Sequence, residues 1–299
     1  MGKKIRRFFR KLGPGLISGV SGDDPSGIAT YSQTGAQFGF GQLWTSLYIL
    51  PFMISIQEAC GRIGAVTGHG LASAIKKSYS RSVLLTIVSL VLLANTINIG
   101  ADIGAMASAI QLIVPTSFTP LAIMITVSIL VLEIFTSYAV YSKILKYLAL
   151  TLFAYPLTLF IIQVPWNTII PATILPHIEF NFAFFFLVTG VIGTTISPFM
   201  FFWQASEEVE EERYSHLIKR GVPRIGARFI HNLRLDTLMG MLFSQLGTWA
   251  IIVVAATVLG VHGVTDIKTA SDAALALEPL VSTFPNAGYL AKLLFAVGI

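Results

Sequence analysis

The sequence predicts an all-helical integral membrane protein, and two observations carry that prediction. First, 54% of the 299 residues are hydrophobic and only 12% are charged, whereas soluble globular proteins carry about 25% charged residues. Second, Asp, Glu, Lys and Arg are absent from six long runs, which cover residues 25–57, 82–101, 103–132, 147–178, 180–206 and 237–265. Each run reaches the ~20 residues that a helix needs to cross a bilayer.

Eight membrane spans follow from these runs and from the charges between them. They are span 1 (14–36), span 2 (41–65), span 3 (82–113), span 4 (119–138), span 5 (140–164), span 6 (181–207), span 7 (232–261) and span 8, which starts near 287. Seven are complete. The apolar run Leu290–Ile299 is too short to cross a bilayer. We therefore expect the chain to be incomplete at its C-terminus.

The basic residues predict the orientation of the spans. Of the 20 Lys and Arg residues, 18 fall in four groups, at positions 3–11, 62–81, 143–146 and 213–234. These groups lie at alternate ends of the spans, which is the positive-inside pattern. The sequence thus predicts a multi-pass protein of the cell membrane with a cytoplasmic N-terminus. Nucleic acid is not an expected partner, because no aromatic residues alternate with a basic face.

Span 1 contains a segment that is poorly suited to a helix, Ser21-Gly-Asp-Asp-Pro-Ser-Gly27. Pro25 has no N–H and collides with the preceding turn, and the two glycines loosen the backbone. A charged, broken segment inside a membrane span is costly unless it lines a cavity or is buried in protein. We therefore predict a functional break at Asp24.

Span 6 repeats this feature in Gly190-Val-Ile-Gly-Thr-Thr-Ile-Ser-Pro198. Interrupted helices at corresponding positions of two halves are typical of transporters built from inverted repeats. The chain then divides into a cytoplasmic tail (1–13), a first repeat (14–164), an extracellular linker (165–180) and an incomplete second repeat (181–299). Carbonyls that the breaks set free, together with an Asp carboxylate, would make a site for a hard cation.

Several segments resemble the Nramp divalent-metal transporters, which share the LeuT fold. Asp24-Pro-Ser-Gly-Ile-Ala-Thr30 resembles the family's first helix and its Asp-Pro-Gly-Asn signature. Similar segments are Gly13-Pro-Gly-Leu-Ile, Gln57 to Gly68, Ala101 to Ser108, Leu277-Glu-Pro-Leu and Leu294 to Gly298. The resemblance covers nearly the whole chain and implies import of Mn²⁺ or Fe²⁺, with proton symport as an option.

The chain departs from the family pattern at its site. Gly27 stands where the family has the asparagine, and Ser197-Pro198-Phe199 stands for the family's Met-Pro-His. A second family histidine is Gln204 here, and an acidic residue of span 3 is Ala105. Asp24, Pro25, Asp102 and Pro198 match the pattern, so the chain resembles a divergent subgroup.

These departures change the expected chemistry of the site. The ligands would be Asp24, the Ser197 hydroxyl and carbonyls near Ser21 and Thr194, with room for a water at Gly27. That set is all oxygen, which favours harder ions such as Mg²⁺ or Mn²⁺. Alternatively, Met200 or another group supplies the softer ligand, and Mn²⁺ and Fe²⁺ remain the substrates. We rank Mn²⁺ and Fe²⁺ first, on the resemblance, and Mg²⁺ second.

Other residues receive supporting roles. Asp102 could accept a proton, because acidic residues inside membrane helices form proton relays. The lost histidines and the lost acid favour weakened or absent coupling. Outer positions around the site are expected for Asp23, Gln57 and Thr248. The acidic run Glu207–Glu212 predicts a solvated helix end, with an acidic lining of the cytoplasmic mouth as the alternative.

Three other functions compete with metal import. A Na⁺-coupled carrier of organic solutes would present helix N–H groups to a substrate carboxylate, which Asp23 and Asp24 would repel. An enzyme is disfavoured, because the sequence shows no His/Cys metal cluster and no nucleophile–base pair. An inactive fragment is the third alternative. The expected partners are the lipid bilayer and divalent ions, with no resident cofactor.

Overall fold

A computed structural model describes residue 19 and the ranges 24–136, 154–219, 222–261 and 263–267, with Val140 and a few short pieces after 272. The predicted tail (1–13) and the predicted site residues Ser21 and Asp23 lie outside the described residues. So do most of span 5 and most of span 8.

The described residues form ten helices and one short hairpin. The helices are α1 (Pro25–Phe38), α2 (Trp44–Thr67), α3 (Leu71–Ser78), α4 (Arg81–Gln111), α5 (Phe118–Phe135), α6 (Ala154–Thr158), α7 (Trp166–Ile174), α8 (Phe182–Thr195), α9 (Pro198–Tyr214) and α10 (Ala227–Val261). Between α9 and α10, β1 (Ile218–Lys219) pairs antiparallel with β2 (Val222–Pro223).

Five segments of the described chain are long and apolar enough to cross a membrane. They are Trp44–Thr67, Arg81–Gln111, Phe118–Phe135, Phe182–Tyr214 and Ala227–Gly260. Large apolar side chains also cover their outer faces; Leu92 is 66% exposed and Ile134 is 71% exposed. Such a surface is unfavourable in water and suits lipid. The prediction of a multi-pass helical membrane protein is therefore confirmed.

The described chain divides into two compact units. Gly19 and the described residues of 50–97 and 196–244 form the first unit. The described residues of 23–49, 98–195 and 245–299 form the second. One division falls between Thr195 and Ile196, which is the break that the sequence predicts in span 6.

In the second unit, α1 packs closely against α8 and α10. Tyr31 and Ile28 of α1 are 0% and 1% exposed. A Cβ added at Gly35 would collide with the backbone carbonyl of Ile252, so the two backbones touch. A Cβ at Gly190 would lie 3.2 Å from the Thr30 methyl. At Gly35 only a residue without a side chain permits this approach, and at Gly190 a side chain would make the contact tight.

The predicted linker 165–180 contains α7, which aromatic side chains anchor. Trp44 Nε1 donates to the carbonyl of His177 over 3.2 Å. Trp249 Nε1 donates to Thr173 Oγ1 over 3.0 Å, and the Trp249 ring stacks on Trp166 at 6.3 Å. Such amphipathic rings are typical of the boundary between a membrane and water.

In the first unit, α2 packs against α9 through glycines. A Cβ at Gly64 would collide with the backbone of Ala205. Near the same end of α2, Glu58 pairs with Arg62 at 3.6 Å and with Arg234 of α10 at 3.3 Å. The first pair lies within α2 and the second joins α2 to α10; both involve exposed arginines, so each contributes modestly to stability.

Three of the five glutamates in the acidic run are buried, so the prediction of a solvated helix end is wrong for them, whereas Glu210 is exposed. Glu207, Glu208 and Glu212 are at most 3% exposed. The reason is that α9 does not end at 207 but continues to Tyr214 and packs against α3. The neighbouring Gln204 amide donates to Glu208 Oε1 over 3.3 Å and to Thr237 Oγ1 of α10 over 3.2 Å.

Candidate cation site at the first helix break

Helix α1 begins at the Asp24-Pro25 pair because both residues favour a helix start. Asp24 is the N-cap, with extended backbone angles (φ −69°, ψ 171°), and its Oδ1 accepts from Gly27 N over 2.7 Å. Pro25 occupies the first helical position, where its missing N–H costs nothing. The carboxylate of Asp24 is thereby fixed at the end of the helix.

The Asp24 carboxylate has hydrogen-bond partners on both oxygens. Ser26 Oγ donates to Oδ1 over 2.7 Å, beside the bond from Gly27 N. Asn98 Nδ2, on α4, donates to Oδ2 over 2.9 Å. Asp24, Ser26 and Asn98 are all partly buried, so these contacts are only partly screened by solvent. The side-chain amide of Asn98 thus links the break before α1 to α4.

Asp102 lies in the same cluster, one helical turn after Asn98. Its Oδ1 accepts from the backbone N–H of Ser26 over 3.2 Å, and its Oδ2 accepts from Asn98 Nδ2 over 3.2 Å. A single amide nitrogen therefore donates to two carboxylates, those of Asp24 and Asp102. The cluster collects two acidic side chains in an apolar helical setting, where negative charge calls for a compensating cation or proton.

Gly27 borders the Asp24 carboxylate. It is buried, and a Cβ added there would lie 3.2 Å from Asp24 Oδ1 and 3.4 Å from the Tyr31 ring. A larger residue at this position would crowd the carboxylate. Gly27 therefore keeps space free next to the Asp24 carboxylate.

The C-terminal end of α8 reaches α1 through Tyr31. The Tyr31 hydroxyl lies 3.3 Å from Thr195 Oγ1 and accepts from Thr194 Oγ1 over 3.3 Å. The threonine hydroxyls also bond carbonyls of α8 itself; Thr195 Oγ1 donates to Val191 over 2.6 Å. The predicted ligand position Thr194 thus lies where α8 ends and contacts the second turn of α1.

The second break has the same backbone plan. Ser197 is the N-cap of α9 (φ −86°, ψ 132°), Pro198 is at the first helical position, and the Ser197 side chain makes no cap hydrogen bond. Ser197 is 8% exposed and Met200 is 1% exposed. Gln57 Nε2, from α2, donates to the carbonyl of Met200 over 3.2 Å. The predicted outer residue Gln57 therefore supports the first turn of α9.

The structure brings three predicted site residues together in one unit. Asp24, Gly27 and Asp102 form one cluster in the second unit. Ser197 and Gln57 belong to the first unit, and Thr248 is fully buried on α10. Within the described residues, no group of three or more His, Cys, Asp or Glu side chains could hold a metal ion.

Two residues of the cluster were missed by sequence reasoning, Asn98 and Ser26. Asn98 lies four residues before Asp102, a spacing that places both side chains on one face of α4. Asn95, Asn98 and Asp102, spaced three and four residues apart in a mostly apolar helix, were the available signal. The bonds of Asn98 to Asp24 and to Ser26 span more than 70 positions of the chain, and no local pattern shows them.

Comparison with known proteins decides the family. The sequence model described as "Natural resistance-associated macrophage protein-like" (Nramp) matches residues 15–299. The chain belongs to the Nramp family. The predicted resemblance is thus confirmed, including the helical transporter fold that Nramp structures share.

Several Nramp relatives carry the name divalent metal cation transporter MntH. That of Chromohalobacter salexigens is 26% identical over 277 residues, which are 90% of this chain and 62% of the relative. That of Caldanaerobacter subterraneus is 23% identical over 292 residues, or 96% of this chain and 67% of the relative. The chain spans about three fifths to two thirds of the length of these curated relatives.

Solved Nramp structures show the same fold. A manganese transporter of Eremococcus coleocola, in complex with an aromatic bis-isothiourea substituted compound, matches with a TM-score of 0.67 at 16% identity. The match covers 96% of this chain and 60% of that one. A variant of the same transporter matches with a TM-score of 0.69 at 18% identity, with equal coverage.

Proposed function

We propose that this Nramp chain imports a divalent metal cation by secondary transport and binds the cation at Asp24. One observation carries the proposal: the carboxylates of Asp24 and Asp102 share the amide of Asn98 at a helix break, inside a protein of membrane-length helices. Intramembrane acidic pairs of this kind mark ion pathways. The names of the relatives, divalent metal cation and manganese transporters, support the same class of substrate.

The proposed ions are Mn²⁺ and Fe²⁺ first and Mg²⁺ second. The relatives support Mn²⁺. The described cluster supports Mg²⁺ as the second candidate, because the side chains that hydrogen-bond Asp24 carry a hydroxyl and an amide and a second carboxylate shares the amide. Oxygen ligands suit both Mg²⁺ and Mn²⁺, whereas thioether ligands favour softer metals. The transported ion is substrate, and we propose no resident cofactor and no enzymatic activity.

The same cluster argues against a carrier of organic anions. Such a carrier would present helix N–H groups to a substrate carboxylate at the break. Here the Asp24 carboxylate already accepts the N–H of Gly27 at the start of α1. Asp24 and Asp102 would also repel a second anion.

We place the protein in the cell membrane with the N-terminus on the cytoplasmic side. The positive-inside distribution of 18 of the 20 basic residues supports this orientation. The aromatic anchoring of α7, on the predicted outer linker, fits a position at the outer membrane boundary.

Uptake by reconstituted protein tests the proposal. The 299-residue chain is placed in liposomes that contain a metal-sensitive dye, and Mn²⁺ and Mg²⁺ are added outside in parallel. We expect uptake of at least one of them, with loss in Asp24→Ala because the charged ligand is gone. Binding to the detergent-solubilised protein is measured by calorimetry on the same samples. Wild-type protein without divalent binding, or binding that Asp24→Ala leaves intact, would refute the site.

Proton coupling is a separate part of the proposal and has its own prediction. Asp102 is the candidate proton acceptor, because it faces Asp24 through Asn98 and lies on a different helix. Metal uptake should then acidify the liposome lumen. Asp102→Asn should abolish the acidification and leave metal binding largely intact. Equal acidification in wild type and in Asp102→Asn would exclude Asp102 as the carrier.

A further inference from the structure

Among the described residues, Asn98 is the one whose side chain bonds both carboxylates, and it has no part in the ligand set described so far. We propose that Asn98 is itself a ligand of the transported cation and that its side-chain amide rotates by half a turn when the cation binds. This inference rests on the proposed function and adds a neutral oxygen ligand from α4 to the Asp24 site.

The first argument is a count of hydrogens. Ser26 Oγ lies 2.7 Å from Asp24 Oδ1 and 3.0 Å from Asn98 Oδ1. A hydroxyl carries one hydrogen, so it donates to only one of these oxygens at a time. Asn98 Nδ2 meanwhile uses its two hydrogens on Asp24 and Asp102. The two acceptors beside Ser26 therefore compete for a single hydrogen.

Rotation of the Asn98 amide removes this competition. A half turn about the Cβ–Cγ bond exchanges the amide nitrogen and oxygen, which are similar in size. The nitrogen would then donate to Ser26 Oγ, while the Ser26 hydrogen stays on Asp24. The amide oxygen would point toward the oxygens of Asp24 and Asp102, where three oxygens repel one another unless a cation lies between them.

The two amide orientations therefore respond to occupancy. Without an ion, the N–H groups compensate the negative charge of the carboxylates. With an ion, the rotated amide offers a third hard oxygen of the kind that Mg²⁺ and Mn²⁺ prefer. A ligand shifts such an equilibrium by its differential affinity for the two states. Binding at Asp24 thus changes the contact between α1 and α4.

Asn98 also supplies a side-chain amide, a group that the corresponding position of α1 lacks in this chain. By resemblance, Gly27 occupies the position of the asparagine in the family's helix 1 signature. A Cβ at Gly27 would already lie 3.2 Å from Asp24 Oδ1, so a side-chain amide would fit there only by displacing the present contacts. The Asn98 amide approaches the same carboxylate from α4, and its Nδ2 lies 2.9 Å from Asp24 Oδ2.

Calorimetry with Mg²⁺ and Mn²⁺ tests the inference on the full chain. Asn98→Ala should weaken binding by about tenfold, the lower end of losses seen when groups that support a metal site are removed. Asn98→Asp keeps an oxygen at this position and should retain binding. The matched control is Thr96→Ala on the same helix, since Thr96 is exposed and its hydroxyl donates to the carbonyl of Leu92.

An infrared difference spectrum supplies a second readout that does not depend on affinity. Addition of Mg²⁺ should shift the carbonyl stretch of one asparagine side chain in wild type, and this shift should be absent in Asn98→Asp. Wild-type or tighter binding by Asn98→Ala would overturn the inference, because the amide would then be neutral or a competitor of the ion. If Asn98→Ala does not fold, Asn98→Asp and the spectrum decide. Failure of the wild-type chain to bind either ion would instead refute the proposed function.

Discussion

The breaks before α1 and before α9 share a plan and differ in charge. Each has an extended N-cap residue followed by proline, at Asp24-Pro25 and at Ser197-Pro198. Each also receives a side-chain amide from another helix, since Asn98 bonds Asp24 and Gln57 bonds the Met200 carbonyl.

The two breaks differ in the group that accepts the hydrogen bond of the amide. At the first break it holds a charged side chain that also caps the helix. At the second break it holds a backbone carbonyl, and the N-cap serine makes no cap bond. The first break is therefore equipped to attract a cation, and the second to offer neutral groups.

Removal of the charge that distinguishes the breaks should have the largest effect. Asp24→Ser gives the first break the N-cap residue of the second. A serine hydroxyl still caps α1, so the helix start should survive while the anionic ligand is lost. We expect divalent affinity to fall by about a hundredfold or more, because one charged ligand contributes several kcal/mol.

Calorimetry measures the loss of the anionic ligand, and thermal unfolding of the same sample measures any loss of the helix cap. Asp266→Ser, an exposed aspartate after α10, is the control for an altered net charge. A variant Asp24→Ser that unfolds at a much lower temperature would show that the carboxylate acts mainly as a cap. Unchanged affinity would show that the two breaks do not differ in function.

A soft ligand at the second break should change selectivity. Ser197→Met adds a thioether where the family pattern has one. On the sequence prediction that Ser197 is a ligand, the ratio of Cd²⁺ affinity to Mg²⁺ affinity should rise by about tenfold, since thioether sulfur favours softer metals. Competition calorimetry measures the ratio. Thr189→Met, an exposed position of α8, should leave the ratio unchanged; equal responses of both variants would contradict the role of Ser197.

The amide at the second break should matter less. Gln57→Leu removes the bond to the Met200 carbonyl, and a neutral hydrogen bond contributes about 1 kcal/mol. We expect a drop of about fivefold in transport rate with little change in affinity, because the first turn of α9 loses one support. Initial uptake rates check this. Ser55→Ala, exposed on the same helix with its hydroxyl on the Pro51 carbonyl, should behave as wild type; a large loss of affinity in Gln57→Leu would assign Gln57 to the site itself.

The sequence predicted the membrane class, most spans and both breaks, because each depends on local composition. Charge-free runs define spans, and an acidic or hydroxyl residue before proline defines a helix start. The family resemblance added Asp102. The same resemblance selected Asp24 rather than Asp23 as the ligand, and the structure places Asp24 at the start of α1.

What the sequence could not predict depends on contacts between distant positions. Asn98 acquires its role from Asp24 and Ser26, more than 70 positions away. The burial of Glu208 depends on how far α9 continues and on which helices cover it. A run of glutamates is the usual pattern of a solvated surface, so composition alone pointed to the wrong environment.

The anchoring of α7 has a practical consequence for spectroscopy. Trp44, Trp166 and Trp249 all lie around this one helix or its end, and the fourth tryptophan of the chain is Trp203 on α9. In a Trp203→Phe background, every remaining indole emits from the surroundings of α7. The protein would then carry a built-in fluorescent reporter of that region, and brominated lipids of known depth would measure how deeply it lies in the bilayer.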